Sequence, residues 1–438
     1  MFARFQGTQA ADASGCLTIG GLPAEHLAST FGTPLYVIDG AEVRARCREF
    51  LAAVKPFGGR VAYAAKANPA IGVLNLVHEE GCDADVASEG ELEAALRAGY
   101  PPERIHLHGN AKSDGELRRA VEVGIGAVVI DSLLEVPRLA RACTEVGRDQ
   151  RVMLRLAPGV DPVTHEAIRT GQEDSKFGLN ISSGAALEAA EAVASEQRLL
   201  LVGVHVHVGS QLMDADAIVD GARRAAEFAV SAREAFHEVE EVIAGGGFGI
   251  PYVPGEAPCP IGESVHRVAA AVRGEFDRAG LPMPTLTFEP GRYLVGTGGA
   301  TLYRVMVRKS VPVQSATGER TYLSVDGGMA DNPRPQMYGA RYTAMNASRL
   351  CEPHDSEFRV AGRHCETDTL IPEAMLPEGT EAGDLLCVQG TGAYNFAMAS
   401  NYNRYPRPAM VIVEDGEARL VVRRETLEDI FRCEEEAR

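Results

Sequence analysis

The chain lacks the long apolar runs and the excess of positive charge that mark membrane-spanning and nucleic-acid-binding proteins. No stretch of its 438 residues approaches the about 20 apolar residues that a membrane-spanning helix requires. Acidic residues outnumber basic ones by 61 to 43, and the formal net charge is −18. Because nucleic acids and anionic membranes bind clustered lysine and arginine, this balance argues against both as partners.

Paired metal-binding or disulfide-forming cysteines are also lacking. The nine cysteines are scattered and form no CxxC or Cys/His pair. An odd number of unpaired cysteines favours free thiols in a reducing compartment over a disulfide framework or a zinc site. The first 21 residues have no basic region followed by an apolar run, so no signal peptide is expected. These features predict a cytoplasmic protein without a metal site.

What the sequence does contain is a regular alternation of β-rich runs and helical segments. The β-rich runs are Val61–Ala65, Ala84–Val86, Ile105–His108, Ala127–Ile130, Val152–Leu156, Val202–Val208, Val242–Ala244 and Leu286–Phe288. The helical segments include Glu89–Ala98, Asp114–Val123, Ser132–Glu145, Ala185–Glu196, Ala215–Val239 and Val265–Ala279. Eight strand–helix repeats predict an α/β fold, a closed (β/α)8 barrel, with an open doubly wound sheet as the alternative.

After Tyr293 the pattern changes to strands separated by turns, with no strong helices between them. The runs are Ala300–Lys309, Thr321–Val325, Leu385–Val388, Ala409–Val413 and Ala418–Arg423. This pattern predicts a second, mainly antiparallel β domain. Two earlier runs, Leu17–Ile19 and Pro34–Ile38, are expected to join it. The predicted domains are therefore 1–39 with 297–438, and a barrel over 40–296.

Polar residues collect where the predicted barrel strands end, which is where barrel enzymes build their sites. Lys66 follows a short apolar run and precedes Asn-Pro. Its immediate neighbours fit a surface lysine as well as a buried amine, which desolvation would make nucleophilic. The polar residues at the other strand ends are Asp85, Ser88, Asn110, Arg155, His207, Ser210, Glu289 and Arg292, with the glycines Gly245, Gly246 and Gly247 after the seventh strand.

The glycine run after the seventh strand, Gly245–Gly247, has two interpretations. It is a tight turn, or its consecutive N–H groups form a nest for an anion. It matches neither a P-loop nor a dinucleotide-binding fingerprint. In a barrel, however, this position commonly binds phosphate. Ser210 and Arg292, at neighbouring strand ends, would add a hydroxyl and a guanidinium to the same phosphate.

Glu289 and His207 complete the predicted set. Glu289 follows an apolar run, so it should be nearly buried and needs a partner, either Arg292 or a protonated heterocyclic nitrogen. His205 and His207 share a face and would suit a metal, but no third ligand with suitable spacing is evident, so a ring stacked on a flat cofactor explains His207 better. An amine, a phosphate cradle, a stacking imidazole and a carboxylate together indicate pyridoxal 5′-phosphate.

Longer motifs extend this interpretation. They are YAAKAN at 63–68, HGNAKS at 108–113, HVHVGSQ at 205–211, GGGFG at 245–249, EPGRY at 289–293, RPQMY at 334–338, HCET at 364–367 and GAYNFAMASNYN at 392–403. On these motifs, and from about residue 32 to 427, the chain resembles the diaminopimelate decarboxylase family. That family is a branch of the barrel-type pyridoxal phosphate decarboxylases, which also include ornithine and arginine decarboxylases.

For the cofactor, the resemblance implies that Lys66 binds pyridoxal phosphate covalently, that His207 stacks on its ring and that Glu289 pairs with the pyridine nitrogen. The other implied cofactor-binding residues are Ser210, Gly245, Gly246, Gly247, Gly291, Arg292 and Tyr394. It also implies that Cys365 and Glu366 reach into the site of a second subunit, so an obligate homodimer with shared sites is expected.

For the substrate, the resemblance favours the diaminopimelate branch. The supporting segments and residues are Thr164-His165, Thr170-Gly171, Ser175-Lys176-Phe177-Gly178, Arg334 and Tyr338. Arg334 and Glu366 would face a distal carboxylate and ammonium, whereas ornithine would leave Arg334 without an anion. Arg292 and Tyr394 are also expected to contact substrate. One departure is visible: the chain is one residue shorter after Cys-Glu, which makes Asp368 the acid of that motif.

The implied reaction is decarboxylation of meso-2,6-diaminopimelate to L-lysine and CO2, the last step of lysine biosynthesis. Cys365, or a water that it positions, is the candidate donor of the proton that replaces CO2. The alternatives are a decarboxylase of another basic amino acid or of carboxynorspermidine, and a non-catalytic decarboxylase-like regulator. Regulators of that kind lose cofactor residues that are present here. An alanine-racemase-type activity favours arginine at the ring nitrogen, and Glu289 argues against it.

Overall fold

The computed structural model describes residues 5–160, 175–236, 238–313 and 318–435. The chain divides into two compact units. The first, which we call the barrel unit, consists of Arg46–Ile250 and Pro258–Tyr293. The second, which we call the β unit, consists of Met1–Ala45, Pro251–Ala257 and Leu294–Arg438. The domain boundaries after residues 39 and 296 stay predictions.

Eight parallel strands close into a barrel in the described part of the barrel unit. They are β1 Arg60–Ala64, β2 Asp83–Val86, β3 Ile105–Leu107, β4 Ala127–Ile130, β5 Gln150–Ala157, β6 Leu199–His205, β7 Glu241–Ile243 and β8 Thr285–Phe288. Each strand pairs with the next, and Thr287 of β8 pairs with Arg60 of β1, which closes the ring. The predicted barrel is confirmed, and the open doubly wound sheet is wrong.

Helices connect the barrel strands. They are Ile71–Glu79, Glu89–Arg97, Asp114–Val123, Glu135–Val146, Ala185–Ala194, Asp216–Ser231 and Ile261–Arg278, and Gly40–Val54 precedes β1. Their ends follow local rules: the Ser113 side chain caps Asp114–Val123 in a capping box with Glu116. Ser88 likewise accepts a hydrogen bond from the Glu91 backbone N–H at 3.2 Å. Ser88, one of the polar residues at the predicted strand ends, therefore caps the N-terminus of the helix Glu89–Arg97.

The β unit contains a mainly antiparallel sheet, as predicted. The strands of the unit are Ala10–Ala11, Leu17–Ile19, Leu22–Pro23, Leu35–Asp39, Gly299–Pro312, Glu319–Val325, Ala344–Asn346, Ser356–Ala361, Thr369–Leu376, Leu385–Gln389, Ala409–Glu414 and Glu417–Val422. Its helices are Ala24–Phe31, Arg334–Tyr338 and Leu427–Phe431. Leu35–Asp39 lies between Gly299–Pro312, to which it is antiparallel, and Ala409–Glu414, to which it is parallel.

Each unit has its own apolar core. In the barrel unit, a cluster from β4 to β7 includes Val129, Met153 and Val202, which are almost completely buried. In the β unit, Leu35, Val37, Leu302 and Val411 belong to a larger buried cluster. Across the described residues, we find no helix with the length and apolar character that crossing a membrane requires.

Candidate active site

Glu289 occupies the centre of a buried polar cluster in the barrel unit. It follows β8 directly and is 5% exposed. His205, the last residue of β6, donates from Nε2 to Glu289 Oε2 at 3.0 Å. His108 follows β3, and its Nε2 lies 3.1 Å from Glu289 Oε1. The closure of the barrel thus places two imidazoles against one carboxylate, and the hypothesis that Arg292 is its partner is wrong.

The two histidines differ in charge. Burial lowers the pKa of His205 to about 4, so it is a neutral donor. Burial also opposes protonation of His108, but Asp85 and Glu289 outweigh it and raise its pKa. Asp85 Oδ1 lies 3.5 Å from the same His108 Nε2. His108 is therefore the more readily protonated of the two histidines, and it lies between the Asp85 and Glu289 carboxyl groups.

Glu289 itself is held as an anion. Burial alone would raise its pKa, but the nearby charge of His108 and the hydrogen bond from His205 outweigh burial and hold the pKa of Glu289 well below its usual range. Glu289 Oε1 is buried and, although His108 Nε2 lies 3.1 Å away, it makes no hydrogen bond among the described residues. A protonated ring nitrogen would supply the missing donor, so this carboxylate fits the predicted cofactor.

The same cluster bears on the prediction that no metal site is present. His108, His205 and Glu289 offer donor atoms that all lie within 4.8 Å of one another. Of the histidine pair considered in the sequence, only His205 belongs to this group; His207 does not. Barrel closure instead brings His108 and Glu289 to His205, which the spacing of the sequence does not reveal. The ion pairs within the cluster account for its geometry without an added ion.

His207 lies two residues beyond β6 and is half-buried. The backbone N–H of Gly246 donates to its Nδ1 at 3.3 Å. Burial, and after it the nearby charge of Lys66, hold the pKa of His207 well below its usual value. The imidazole is thus neutral and fixed in orientation by the glycine loop, which suits a ring that stacks on a flat cofactor.

The glycines of the 245–247 loop are required by close backbone contacts. At Gly245, where φ is +72°, a Cβ would lie 2.3 Å from the Val206 carbonyl oxygen. At Gly246, a Cβ would lie 2.1 Å from the Glu289 carbonyl oxygen. Gly291 similarly leaves room for Ala67, whose Cβ would be 2.9 Å away. The loop therefore packs between the ends of β6 and β8 only without side chains.

Ser210 and Arg292 meet beside this loop. Arg292 Nη2 donates to Ser210 Oγ at 3.1 Å. Ser210 is half-buried, and Arg292 is 5% exposed. The structure thus brings together the hydroxyl and the guanidinium that the sequence assigned to one anion.

Lys66 lies just beyond the end of β1. β1 ends at Ala64, and Lys66 lies in a single 3₁₀ turn, Ala65–Ala67. Ala65 and Ala67 are completely buried, but the Lys66 side chain is exposed. Of the two possibilities for Lys66, the surface lysine is the one found, because the turn after the strand directs its neighbours, rather than Lys66, into the core. The Lys66 ammonium is nevertheless close enough to lower the pKa of His207.

The segment Ser175–Gly178, predicted to distinguish substrates, is tied to the barrel. The Gly178 N–H donates to Asp131 Oδ1 at 2.9 Å. Asp131 Oδ2 lies 3.3 Å from Arg155 Nη1, and the Arg155 guanidinium carbon lies 4.3 Å from the centre of the Phe177 ring. The other two parts of that prediction, Thr164-His165 and Thr170-Gly171, lie outside the described residues.

In the β unit, Arg334 is a buried cation enclosed by tyrosines. It begins the helix Arg334–Tyr338 and is 5% exposed. Its Nη1 donates to the Tyr342 hydroxyl at 2.5 Å. Its guanidinium carbon lies 4.9 Å from the centre of the Tyr252 ring and 5.6 Å from that of Tyr342. No ion pair joins Arg334 to an acid within the described residues, so its charge remains available for an anionic ligand. Tyr338, at the end of the helix, is half-buried.

The remaining predicted residues lie on loops of the β unit. Cys365 is exposed, and its backbone N–H donates to Asn403 Oδ1 at 3.1 Å. Glu366 is exposed and accepts a hydrogen bond from the Tyr402 hydroxyl at 2.6 Å. Tyr394 is half-buried and has a φ of +61°, a conformation that side chains rarely adopt.

The sequence interpretation missed several residues of these two clusters. His108 stands in the HGNAKS motif without an assigned role, and Asp85 was noted only as a strand-end acid. His205 was weighed only as a metal ligand. Tyr252 and Tyr342 carried no signal at all, since their relation to Arg334 depends on contacts between distant segments. For His108, its position directly after a barrel strand was the signal that could have identified it.

The barrel, the buried anion at the end of β8 and the glycine loop are typical of enzymes that use pyridoxal phosphate. Comparisons with known proteins place the chain in the same class. Residues 40–296, more than half of the chain, match the family model described as "Pyridoxal-dependent decarboxylase, pyridoxal binding domain". The diaminopimelate decarboxylase of Bacillus subtilis is 46% identical over 98% of this chain and 97% of its own length. That of Mycobacterium tuberculosis is 44% identical over 97% and 96%.

Solved structures give the same result. Diaminopimelate decarboxylase from M. jannaschii in complex with L-lysine superposes with a TM-score of 0.91 at 33% identity, covering 99% of this chain and 98% of that one. The Helicobacter pylori enzyme with L-lysine gives 0.85 at 30% identity, covering 94% and 98%. The chain belongs to the diaminopimelate decarboxylase family of pyridoxal-dependent decarboxylases.

Proposed function

We propose that this protein removes one carboxylate of meso-2,6-diaminopimelate as CO2 and releases L-lysine, the last step of lysine biosynthesis. The observation that carries this proposal is the buried, ionised Glu289, whose Oε1 lacks a hydrogen-bond donor. It stands in a chain that is 46% identical to a diaminopimelate decarboxylase over nearly its full length.

The residues proposed to hold the cofactor are Lys66, His207, Ser210, Gly245, Gly246, Gly247, Glu289, Gly291, Arg292 and Tyr394. When bound, pyridoxal phosphate accepts the electron pair that CO2 leaves behind. Glu289 accepts the ring N–H and keeps that nitrogen protonated. Arg292 would offset the charge of the phosphate, and Ser210 and the glycine N–H groups would donate hydrogen bonds to it. Cys365, or a water that it positions, returns a proton to the α-carbon.

Substrate choice is assigned to Arg334 with Tyr338 and to Glu366. A distal carboxylate would neutralise the enclosed Arg334 guanidinium, and a distal ammonium would pair with Glu366. Lysine, ornithine and arginine lack a second carboxylate, so they would leave a buried cation without an anion. This is the physical basis for preferring diaminopimelate over ornithine, arginine or carboxynorspermidine.

A substrate panel tests the function directly. The purified protein with added pyridoxal phosphate is incubated with meso-diaminopimelate, ornithine, arginine and carboxynorspermidine, with Lys66→Ala as the blank. We expect CO2 and L-lysine from diaminopimelate alone. Release of another amine in place of lysine would establish a different decarboxylase, and no turnover of any substrate would favour a non-catalytic regulator.

We further propose a homodimer in which Cys365 and Glu366 act in the partner's site. Its test is mixing of inactive variants: Lys66→Ala with Cys365→Ala. If sites are shared, half of the reassorted dimers contain one intact site, and about one quarter of the wild-type activity returns. Mixtures that stay inactive, despite subunit exchange shown by differently tagged chains, would contradict shared sites.

A further inference from the structure

Gln211 directly follows Ser210 in the barrel unit and has a strained backbone conformation. Its φ is +58°, in the left-handed region that residues with side chains seldom adopt. Glutamine is not among the residue types that favour this region, so contacts of the surrounding structure must hold it there. Residues strained in this way are frequent at ligand sites. Gln211 is half-buried, and its contacts are therefore informative.

The Gln211 side chain pairs with the backbone of one distant residue, Ile250. Its Nε2 donates to the Ile250 carbonyl oxygen at 2.7 Å, and its Oε1 accepts from the Ile250 N–H at 3.3 Å. Because Ile250 offers one donor and one acceptor, the amide fits in only one orientation. Ile250 is 2% exposed, so removal of the amide would leave two buried backbone groups without this partner.

Backbone hydrogen bonds join the same two parts of the chain. We call residues 209–213 the serine segment and residues 245–250 the glycine segment. The Leu212 N–H donates to the Gly247 carbonyl oxygen at 2.9 Å, and the Gly249 N–H donates to the Leu212 carbonyl oxygen at 2.9 Å. The pair of hydrogen bonds from the Gln211 amide therefore extends a short ladder between the two segments.

Both segments carry groups of the proposed phosphate site. The serine segment carries Ser210, whose Oγ accepts from Arg292 Nη2 at 3.1 Å. The glycine segment begins with Gly245 and Gly246, where close backbone contacts leave no room for side chains. A phosphate that binds the Ser210 hydroxyl and the glycine N–H groups at the same time needs the two segments at one fixed spacing. The Gln211 amide joins these segments by a side-chain contact.

We propose that Gln211 is a positioning residue that fixes the serine segment against the glycine segment and so pre-forms the binding site for the cofactor phosphate. The inference rests on the function proposed above, in which Ser210 and the glycine N–H groups bind that phosphate. Gln211 does not contact the cofactor in this role, because both ends of its amide are bonded to Ile250. It acts through Ser210, its neighbour in the chain.

The test compares Gln211→Met with Gln150→Met in the full-length protein after removal of the cofactor. Methionine keeps the length of glutamine but cannot form the two amide hydrogen bonds. Gln150 is a matched control in the same unit, since it is 2% exposed and its Nε2 donates to the carbonyl oxygens of Ile125 at 3.3 Å and Arg151 at 3.0 Å. It begins β5, whereas the proposed site lies where the barrel strands end.

The absorbance change on binding is used to titrate two ligands, pyridoxal phosphate and pyridoxal, which lacks the phosphate. For Gln211→Met, we expect Kd for pyridoxal phosphate to rise about tenfold, because its phosphate no longer meets a fixed set of donors. Kd for pyridoxal should change by less than about twofold, and Gln150→Met should leave both constants within the same limit. A residue that only stabilises the barrel would affect the two ligands equally.

A folded Gln211→Met that binds pyridoxal phosphate as tightly as wild type would overturn the inference, and so would equal weakening of both ligands. If that variant does not fold, Gln211→Gly replaces it, because glycine adopts a positive φ without strain and lacks the amide. It should weaken pyridoxal phosphate selectively, and unchanged affinity would again overturn the inference. A wild type that binds pyridoxal phosphate but forms no lysine would instead refute the proposed function, so the two failures are distinct.

Discussion

Two buried charges, one in each unit, are handled in opposite ways. In the barrel unit, the Glu289 anion is compensated within the protein by the nearby His108 ring and by a hydrogen bond from the neutral His205. In the β unit, the Arg334 cation has tyrosine rings and a hydroxyl around it, but no acid among the described residues. Burying a charge without a partner of opposite charge costs several kcal/mol of folding free energy.

This difference suggests different tasks for the two residues: Glu289 suits a constant charge, and Arg334 suits the selection of a ligand. A compensated anion keeps its charge whether or not a ligand is present, which suits a residue that must hold a cofactor nitrogen protonated through every turnover. An uncompensated cation gains most when a ligand brings the missing charge, so in the proposed role Arg334 would favour substrates with a second carboxylate. The predictions below test this contrast, from the largest expected effect to the smallest.

The first prediction removes the compensated anion. Glu289→Gln should lower kcat by about 10³-fold, because the ring nitrogen loses the carboxylate that keeps it protonated. Stopped assays of CO2 release measure the effect. Glu241→Gln is the control, since Glu241 is equally buried at the start of β7 and accepts a hydrogen bond from Thr287. A Glu289→Gln enzyme within tenfold of wild type would show that the anion is dispensable.

The second prediction changes the uncompensated cation. Arg334→Lys keeps the charge but loses the planar donor pair, so KM for diaminopimelate should rise about 100-fold, and kcat less. Arg304→Lys, at an ion pair with Glu25 near the surface, should leave both constants near wild type. If Arg334→Lys binds diaminopimelate normally, the tyrosine-enclosed guanidinium is not the specificity element.

The third prediction separates the two histidines by pH. The raised pKa of His108 means that its stabilising charge is fully present below about pH 6.5 and is lost as the pH rises through that raised value. His108→Asn should therefore destabilise the cofactor-free protein by about 2 kcal/mol at pH 6 and by less at pH 9. Urea unfolding at both pH values measures this.

His205→Asn is the matched control for that experiment. With a pKa lowered to about 4, His205 is uncharged at both pH values, so the loss of stability should be the same at pH 6 and pH 9. If the two variants show the same pH dependence, the assignment of the positive charge to His108 is wrong.

The smallest effect is expected from the tyrosines around Arg334. Tyr342→Phe keeps the ring but removes the hydroxyl that accepts from Nη1, so KM should rise about fivefold with kcat unchanged. Tyr322→Phe, a half-buried tyrosine of the same unit whose ring lies 5.9 Å from the Arg359 guanidinium, is the control. A larger loss in the control would show that the effect is not specific to Arg334.

The sequence predicts elements with a clear local pattern better than elements that depend on contacts with distant parts of the chain. The eight barrel strands were predicted to within a few residues, because each is a buried run that ends in polar or glycine residues. The helix predicted over Ala215–Val239 ends at Ser231, and the helices Gly40–Val54 and Ile71–Glu79 were not predicted at all. The strands Ser356–Ala361 and Thr369–Leu376 were also missed. The alternation of buried and exposed residues in these two strands becomes evident only once the neighbouring strands of the sheet are known.

The candidate site likewise has features that follow from the local sequence and features that depend on distant contacts. The position of Glu289 followed from the local pattern, and its burial agrees with that prediction. Its partners did not follow, because His108 and His205 lie far away in sequence and only barrel closure brings them to one carboxylate. The exposure of Lys66 could not be decided from the local pattern, since it depends on the turn Ala65–Ala67 that follows the strand. The roles of the site residues remain predictions.

The strand Leu35–Asp39 has a consequence for the order in which the protein takes shape during synthesis. All strands of the barrel have been translated by residue 288, whereas Leu35–Asp39 pairs with Gly299–Pro312 and Ala409–Glu414. Domains fold as units as the ribosome releases them. The barrel strands are therefore all synthesised well before the sheet of the β unit is complete. If translation stalls before residue 409, Leu35–Asp39 lacks its partner Ala409–Glu414, and its unpaired backbone edge is exposed to chaperones and to other nascent chains.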